Sequence, residues 1–347
     1  LPLSSLETNS NGCCAGGGSS DDNGGDGGDE GPGFRTEGAS AQSEQWNQWP
    51  PEQLAALIRS QIPRFRNRPY LPDTHALSRA LEAGLPVQLR GDFCWSLCFE
   101  APFIQTLAYE GFLPICCELG GGSGLYVLLP KLHVQRCVLL DWTQLHLSRK
   151  VFRRCSRYRL TVSRALSKVL AGCIKQHGES WIYPPMRAVF KEMSLLTSRC
   201  VRPRLDRSSA CAPLLVSFEL WEISANGSLD SLVAGEFGAA VGASYTSFSG
   251  FRTVDGSGTI QMALTAQLLQ QAGFEWWDMG QEHDYKLSMG AELISRASFL
   301  HRFRELRSKP NGIAAYLDEQ GEPFAAQPPA APCAPRQQLH GCPQNRS

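Results

Sequence analysis

No run of 18 or more apolar residues occurs in this 347-residue chain, so nothing in it reads as a membrane-spanning helix. A regular cysteine framework is missing too. The 13 cysteines are odd in number and irregularly spaced. A chain of this length, 42% hydrophobic, can bury one large core or two ordinary ones without cross-links, so the cysteine usage predicts free thiols in a reducing, cytoplasmic setting. Metal-ligand spacing is likewise scarce. Cys94 and Cys98, and the adjacent pairs Cys13-Cys14 and Cys116-Cys117, have no histidine beside them, so they read as small packing residues and no metal is expected. The chain opens on Leu1 rather than methionine, and the expectation is that the true N-terminus, with any targeting peptide on it, lies upstream.

Acidic residues are sparse in one long window, although the formal net charge of the whole is zero. Between Lys131 and Arg207 stand 17 basic residues against Asp141, Glu179, Glu192 and Asp206 only, a local balance of +13. The compensating acids lie elsewhere, among them Asp21, Asp22, Asp26, Asp29 and Glu30. A neutral chain with one basic stripe suits a polyanionic partner.

Apolar residues are almost absent from the Gly-, Ser-, Asn- and Asp-rich segment 1–47, and the end of 311–347 is rich in Pro and Gln. Neither can offset the entropy of ordering, so both are expected to be disordered tails. Between them two units are expected. Residues 48–150 read as a small α+β domain, with helices at 51–58 and 102–109, the second stopped by Gly111, and strands at 113–115 and 125–129 around the glycines of 120–124. Residues 151–310 read as amphipathic helices at 163–176 and 185–195, then a hairpin of strands 214–223 and 231–237 about Asn226-Gly227, a strand at 239–248, a helix at 259–271 and a strand ending at Asp278. Asn226-Gly227-Ser228 also fits a glycosylation sequon, but hairpin context and cysteine usage favour a plain turn. Strand, strand, strand, helix, strand is the order of an acetyltransferase-like (GNAT) fold, so the class expected is α/β (α+β).

The run Phe274-Glu275-Trp276-Trp277-Asp278-Met279-Gly280, followed by a short strand within 288–294, places one carboxylate at the end of an apolar strand. Open sheets bind ligands at such strand ends. A bland reading also exists, in which Asp278 only caps the turn that follows.

Five blocks carry a family likeness: Tyr158-Arg159-Leu160-Thr161-Val162, Ser180-Trp181-Ile182, Glu219-Leu220-Trp221-Glu222, Leu232-Val233-Ala234-Gly235-Glu236-Phe237-Gly238, and Trp277-Asp278 through Gly290-Ala291. In this order and spacing they resemble the leucyl/phenylalanyl-tRNA–protein transferases over about residues 90–305. The resemblance implies an aminoacyltransferase that moves leucine or phenylalanine from charged tRNA to the N-terminal arginine or lysine of a protein, marking it for degradation. It implies a monomer with no membrane contact and no cofactor, because the aminoacyl ester is already activated.

Aminolysis of an ester needs a carbonyl held against an amine, a route for the proton, and donors for the developing oxyanion. By the resemblance, the strand motif Gly-Glu-Ser-Met-Phe-Ser corresponds to Ser247-Phe248-Ser249-Gly250-Phe251-Arg252, with Phe248 in place of the glutamate. The motif Asp-Cys-Gln corresponds to Asp278-Met279-Gly280, with glycine in place of glutamine. Asp278 is thereby the catalytic candidate, and Trp181, Phe248, Ser249, Phe251 and Gly280 the substrate pocket. Gln281, Glu282 or Glu236 could supply the absent polar groups, although Glu236 between strand glycines reads as outward-facing. Arg149, Lys150, Arg153, Arg154 and Arg157 match the family's basic cluster and imply phosphate pairing with tRNA.

Two other readings remain open at this point. Arg252-Thr253-Val254-Asp255-Gly256-Ser257-Gly258 opens a helix after a strand and could hold the pyrophosphate of an acyl-CoA donor, or simply be a glycine turn with Ser257 as helix cap. A non-catalytic RNA-binding descendant would keep the fold and the basic stripe without the transfer groups.

Overall fold

The computed structural model describes residues 46, 48–200, 212–317 and 322–325. The expected disordered ends and the last basic residues of the charged window, Arg202, Arg204 and Arg207, lie outside the described residues apart from the few positions named. Pro51 opens α1 (Pro51–Gln61), where its missing N–H costs nothing. After α2 (Pro63–Arg66), α3 (Thr74–Glu82) begins at Asp73, whose carboxylate accepts from the Ala76 N–H at 2.7 Å. Then come α4 (Leu85–Gln88) and α5 (Ala101–Tyr109), and the chain leaves α5 through Gly111 at φ 83°. Strands β1 (Leu113–Leu119) and β2 (Leu125–Lys131) form an antiparallel pair, turning through glycines with positive φ at 120–122 and 124. One face of this pair packs on Ile58, Phe65 and Trp95.

The rest of the chain builds a seven-stranded sheet. In chain order its parts are β3 (Gln135–Leu139), α6 (Arg149–Cys155), β4 (Tyr158–Val162), α7 (Leu166–His177) and α8 (Pro184–Cys200). There follow β5 (Leu214–Ile223), β6 (Leu229–Val241), β7 (Ser244–Arg252), α9 (Ser257–Gln271), β8 (Trp276–Gly280), α10 (Asp284–Ser288), β9 (Glu292–Ser295) and α11 (Arg296–Leu306). The strand order is β4-β5-β6-β7-β8-β3-β9, antiparallel throughout except for the parallel pair β7 and β8. Helices α7 and α8 cover one face, over a core that includes Val169, Phe190, Phe237 and Phe251. Helices α6 and α9 lie with the opposite core, which includes Leu160, Phe218, Tyr245, Leu264 and Trp277. Among the described residues no helix is long and apolar enough to cross a membrane.

Several expected boundaries move. The division expected at residue 150 cuts across the sheet, because β3 is already hydrogen-bonded between β8 and β9. The strand expected at 239–248 is the end of β6, a turn, and the start of β7. Gly242 makes that turn at φ 53°, and a Cβ there would meet the Leu306 carbonyl oxygen at 2.4 Å, so packing under α11 demands glycine where the sequence shows no polar turn signal. The strand expected within 288–294 is the end of α10 followed by β9. Helix α7 starts at Leu166, after Ser163 at φ 55°, because the Glu219 carboxyl accepts from the N–H groups of Arg164 and Ala165. Ser257 does not cap α9. Gly256 occupies the cap position, and the Ser257 hydroxyl donates to the carbonyls of Val233 and Val254.

Candidate active site at the divergence of two parallel strands

β7 and β8 pair only at Ser244, Tyr245 and Thr246 with Trp276, Trp277 and Asp278. Beyond that, β7 runs on to Arg252 against β6, while β8 ends at Gly280 opposite Cys137 of β3. The β6–β7 register slips between Phe237 and Gly238, leaving an extra residue on β7 around Phe248. A bulge of this kind increases the local twist and re-aims side chains. Gly238 has no room for more than hydrogen, since a Cβ would lie 2.0 Å from the Thr246 carbonyl oxygen. Residues 244–246 are buried, whereas 247–250 reach solvent. The sheet opens there.

Asp278 stands at the root of this opening, but not as a free carboxylate at the mouth. It is wholly buried. Arg136 of β3 donates from Nε to Oδ1 at 2.8 Å and from Nη2 to Oδ2 at 2.9 Å, Thr246 donates to Oδ2 at 3.0 Å, and the Gly280 N–H donates to Oδ1 at 2.9 Å. The expectation of a carboxylate offered to substrate is corrected on this point: both oxygens are engaged inside the protein, by an arginine on a strand whose existence the sequence pattern did not signal. Gly280 takes φ 77°, and a Cβ on it would lie 3.9 Å from the Ser247 carbonyl oxygen, so the ends of the two motifs converge.

Glu236 is also turned inward rather than outward. Its Oε2 accepts from the Ser247 hydroxyl at 3.2 Å, and the Ser247 oxygen accepts from the Trp277 indole N–H at 2.7 Å. Burial pushes the Glu236 carboxyl up to about 7, partly offset by Ser247, Gln261 and the Lys286 ammonium. Lys286, on α10, is itself pulled down to about 8 by burial and donates to the carbonyls of Met279 and Gln281 at 2.6 and 2.7 Å. It thus pins the segment that follows Asp278. Neither Glu236 nor Lys286 was legible as an internal group, because a lone charge in a strand or short helix carries no periodic signal for facing the core.

On the opposite face, Trp181 and Phe248 come together with Phe190 and Phe237. The Trp181 ring stacks on Phe237 at 5.9 Å and meets Phe248 edge-on at 6.4 Å. Trp181 and Phe248 are partly exposed. Phe251 is separate from them, packed on Gly172, where a Cβ would meet its ring at 2.6 Å. Ser249 lies beside the Cys173 thiol. Trp181, Phe248 and Ser249 therefore border the opening, while Phe251 is core. A cleft of about 690 Å³ runs along the β3–β9 side, lined by Asp92, His133, Gln281, Glu282, His283 and Asp284 among others.

The basic cluster lies beyond the Arg252 end of β7, the end at which β7 has parted from β8. Lys150 and Arg153 are exposed on α6. Arg154 donates to the Asp255 carbonyl at 3.2 Å, covering the loop before α9, and Arg157 pairs with Glu222 at 2.6 Å. Arg149 opens α6.

The family described as leucyl/phenylalanyl-tRNA protein transferase matches this chain over residues 139–304, which takes in β4 to β9 and the helices between them. Proteins named leucyl/phenylalanyl-tRNA–protein transferase are similar to it. That of Maridesulfovibrio salexigens is 25% identical over 179 residues, 50% of this chain and 66% of the relative. Those of Legionella pneumophila (strain Corby) and Pseudomonas paraeruginosa are 24% and 26% identical, over 44% and 51% of this chain and 61% and 71% of their own lengths. The chain thus spans about two thirds or less of the first two of these relatives. The likeness read from five ordered blocks is borne out, and from residue 139 to residue 304 this chain is similar to the leucyl/phenylalanyl-tRNA protein transferases.

Proposed function

We propose that this protein is an aminoacyltransferase that moves leucine or phenylalanine from charged tRNA to the N-terminal arginine or lysine of an acceptor protein. The observation that carries the reading is that the matched span, 139–304, contains the whole divergence of β7 and β8 together with Asp278 at its root. An antiparallel sheet with one parallel pair that diverges at a bulge supports an acetyltransferase-like arrangement. In such a site the ester carbonyl and the incoming amine meet where the strands part; the Arg252 N–H donates to Gln176 and the Gly250 carbonyl meets the His177 ring nitrogen, each at 2.8 Å, which leaves the β7 backbone around the bulge at Phe248 for substrate.

In this reading Asp278 is a positioning residue. By fixing Arg136, Thr246 and the Gly280 N–H it sets the shape of the site's floor. Trp181 and Phe248 offer apolar surface to a leucyl or phenylalanyl side chain, and Ser249 and Gly280 border the same opening. The acidic members of the cleft beside β8, Asp92, Glu282 and Asp284, suit a cationic acceptor N-terminus. Lys150 and Arg153, with Arg149 preceding them in α6 and Arg154 and Arg157 nearby, suit tRNA phosphates. Incubating the protein with Phe-tRNA and a peptide beginning with arginine should yield a phenylalanyl-arginyl peptide; no product at high protein concentration would sink the transferase reading. Salt-sensitive tRNA binding without transfer would favour an RNA-binding descendant, the reading that Phe248, Gly280 and the engaged Asp278 oxygens support.

A further inference from the structure

We propose that Ser247 and Glu236 form a proton relay for aminoacyl transfer, Ser247 touching the reacting amine and Glu236 acting through it. The inference rests on the transferase reading. It starts from a directional constraint. An indole N–H can only donate, so the Trp277 contact at 2.7 Å fixes the Ser247 oxygen as acceptor and leaves its own proton to point at Glu236 Oε2, 3.2 Å away. Ser247 is partly exposed at the opening and Glu236 lies buried behind it. Of this trio Ser247 alone is a residue that reaches solvent, and its hydroxyl is hydrogen-bonded to the buried carboxyl.

The other groups around Glu236 keep the carboxyl poised. Tyr245 on β7, Gln261 on α9, Cys173 on α7, and Tyr285 and Lys286 on α10 all interact with it. Burial brings its carboxyl to about 7, near the working range for a proton acceptor. The groups that favour its ionised form at close range are neutral, the Ser247 and Tyr245 hydroxyls and the Gln261 amide, and among the described residues no ion pair holds it as Arg136 holds Asp278.

The step balances without a further reactant. The acceptor's neutral N-terminal amine attacks the ester carbonyl carbon and an N–C bond forms. Its proton passes to the Ser247 oxygen as the serine proton moves to Glu236. The C–O bond to the ribose breaks, and the ribose oxygen takes the proton back along the same path.

Single-turnover transfer from Phe-tRNA to an arginyl peptide between pH 5.5 and 8.5 tests the relay. Ser247→Ala and Glu236→Gln should each slow transfer by about a hundredfold, within the span of general acid–base effects. Both should lose the limb of the profile near pH 7 while aminoacyl-tRNA affinity stays unchanged, and Glu236→Asp should restore part of the rate. Transfer at the wild-type rate and profile in both variants overturns the relay alone. No transfer by the wild-type protein overturns the transferase reading and the relay with it. If Glu236→Gln does not fold, Ser247→Ala reads the relay with the buried carboxyl intact.

Discussion

Arg136 on β3 holds both carboxylate oxygens of Asp278 on β8, at 2.8 and 2.9 Å, and neither side chain reaches solvent. The Arg136 guanidinium also lies 4.5 Å from the centroid of the Phe299 ring and donates to the Gly111 carbonyl at 3.1 Å. One ion pair thus joins β8, β3, α11 and the end of α5. Removing one partner leaves a buried charge without its counter-charge. Arg136→Met should therefore cost about 3–5 kcal/mol in denaturant unfolding, and Asp278→Leu in the same background should recover part of the loss. Additive losses in the double variant would show that the pair is not the coupling element.

The wholly buried Glu219 carboxyl should make stability depend on pH. Burial raises it from 4.5 to about 7, against the hydroxyls of Ser217 and Thr161 and two backbone N–H groups that favour the ionised form. The folded state therefore holds a proton that the unfolded chain releases earlier. The associated stability is complete below pH 4.5 and is lost as pH rises to about 7, with an upper bound of roughly 3 kcal/mol. His133, drawn down to about 4 chiefly by burial, works in the opposite sense between pH 4 and 6.5. Comparing wild type with Glu219→Gln by chemical unfolding at pH 5 and 7.5 removes that background; the wild type should show the larger fall, and parallel profiles would contradict it.

Placing glutamine at Gly280, the residue that the resemblance puts there, should strain the backbone rather than clash. The residue sits at φ 77°, but the nearest atom to an added Cβ is 3.7 Å away on Leu113. Gly280→Gln should thus lower stability by about 1–2 kcal/mol, the penalty of a left-handed conformation, with no loss of fold by circular dichroism. A loss no larger than that of an exposed strand substitution would remove the backbone explanation for glycine here.

The basic cluster should divide in two on tRNA binding. Lys150→Ala and Arg153→Ala remove exposed charges that pair with nothing named above, and each should flatten the dependence of log affinity on log salt by roughly one phosphate's worth. Arg157→Ala should have a smaller effect, because Glu222 already neutralises Arg157 at 2.6 Å. Filter binding of tRNA across a salt series distinguishes them, and equal slopes for all three would place the contact surface elsewhere.

Much of the fold was legible because its signals are local. Pro51 at a helix start, Gly111 past a helix end and Asn226-Gly227 in a hairpin act within a few residues, and α1, α5 and the β5–β6 turn form where they predict. Gly242 turns the chain for a reason that lies on α11, far away in sequence, and β3 is short and joins strands more than 130 residues distant. Neither leaves a local pattern. The resemblance put Trp181, Phe248 and Phe251 in one pocket; Trp181 does meet Phe248, whereas Phe251 is fixed in the core by the absence of a side chain on Gly172.

The sequence alone determined the family likeness through its ordered blocks and where positive charge accumulates, since order, composition and spacing are properties of a line. Only the tertiary structure decided which charges are free. Asp278 is engaged because Arg136 reaches it across the sheet, and Glu236 is withheld from water behind Ser247 because α9 and α10 close over its face of the sheet. Burial and counter-charge are set by what comes near in space, and a carboxylate's chemistry depends on both.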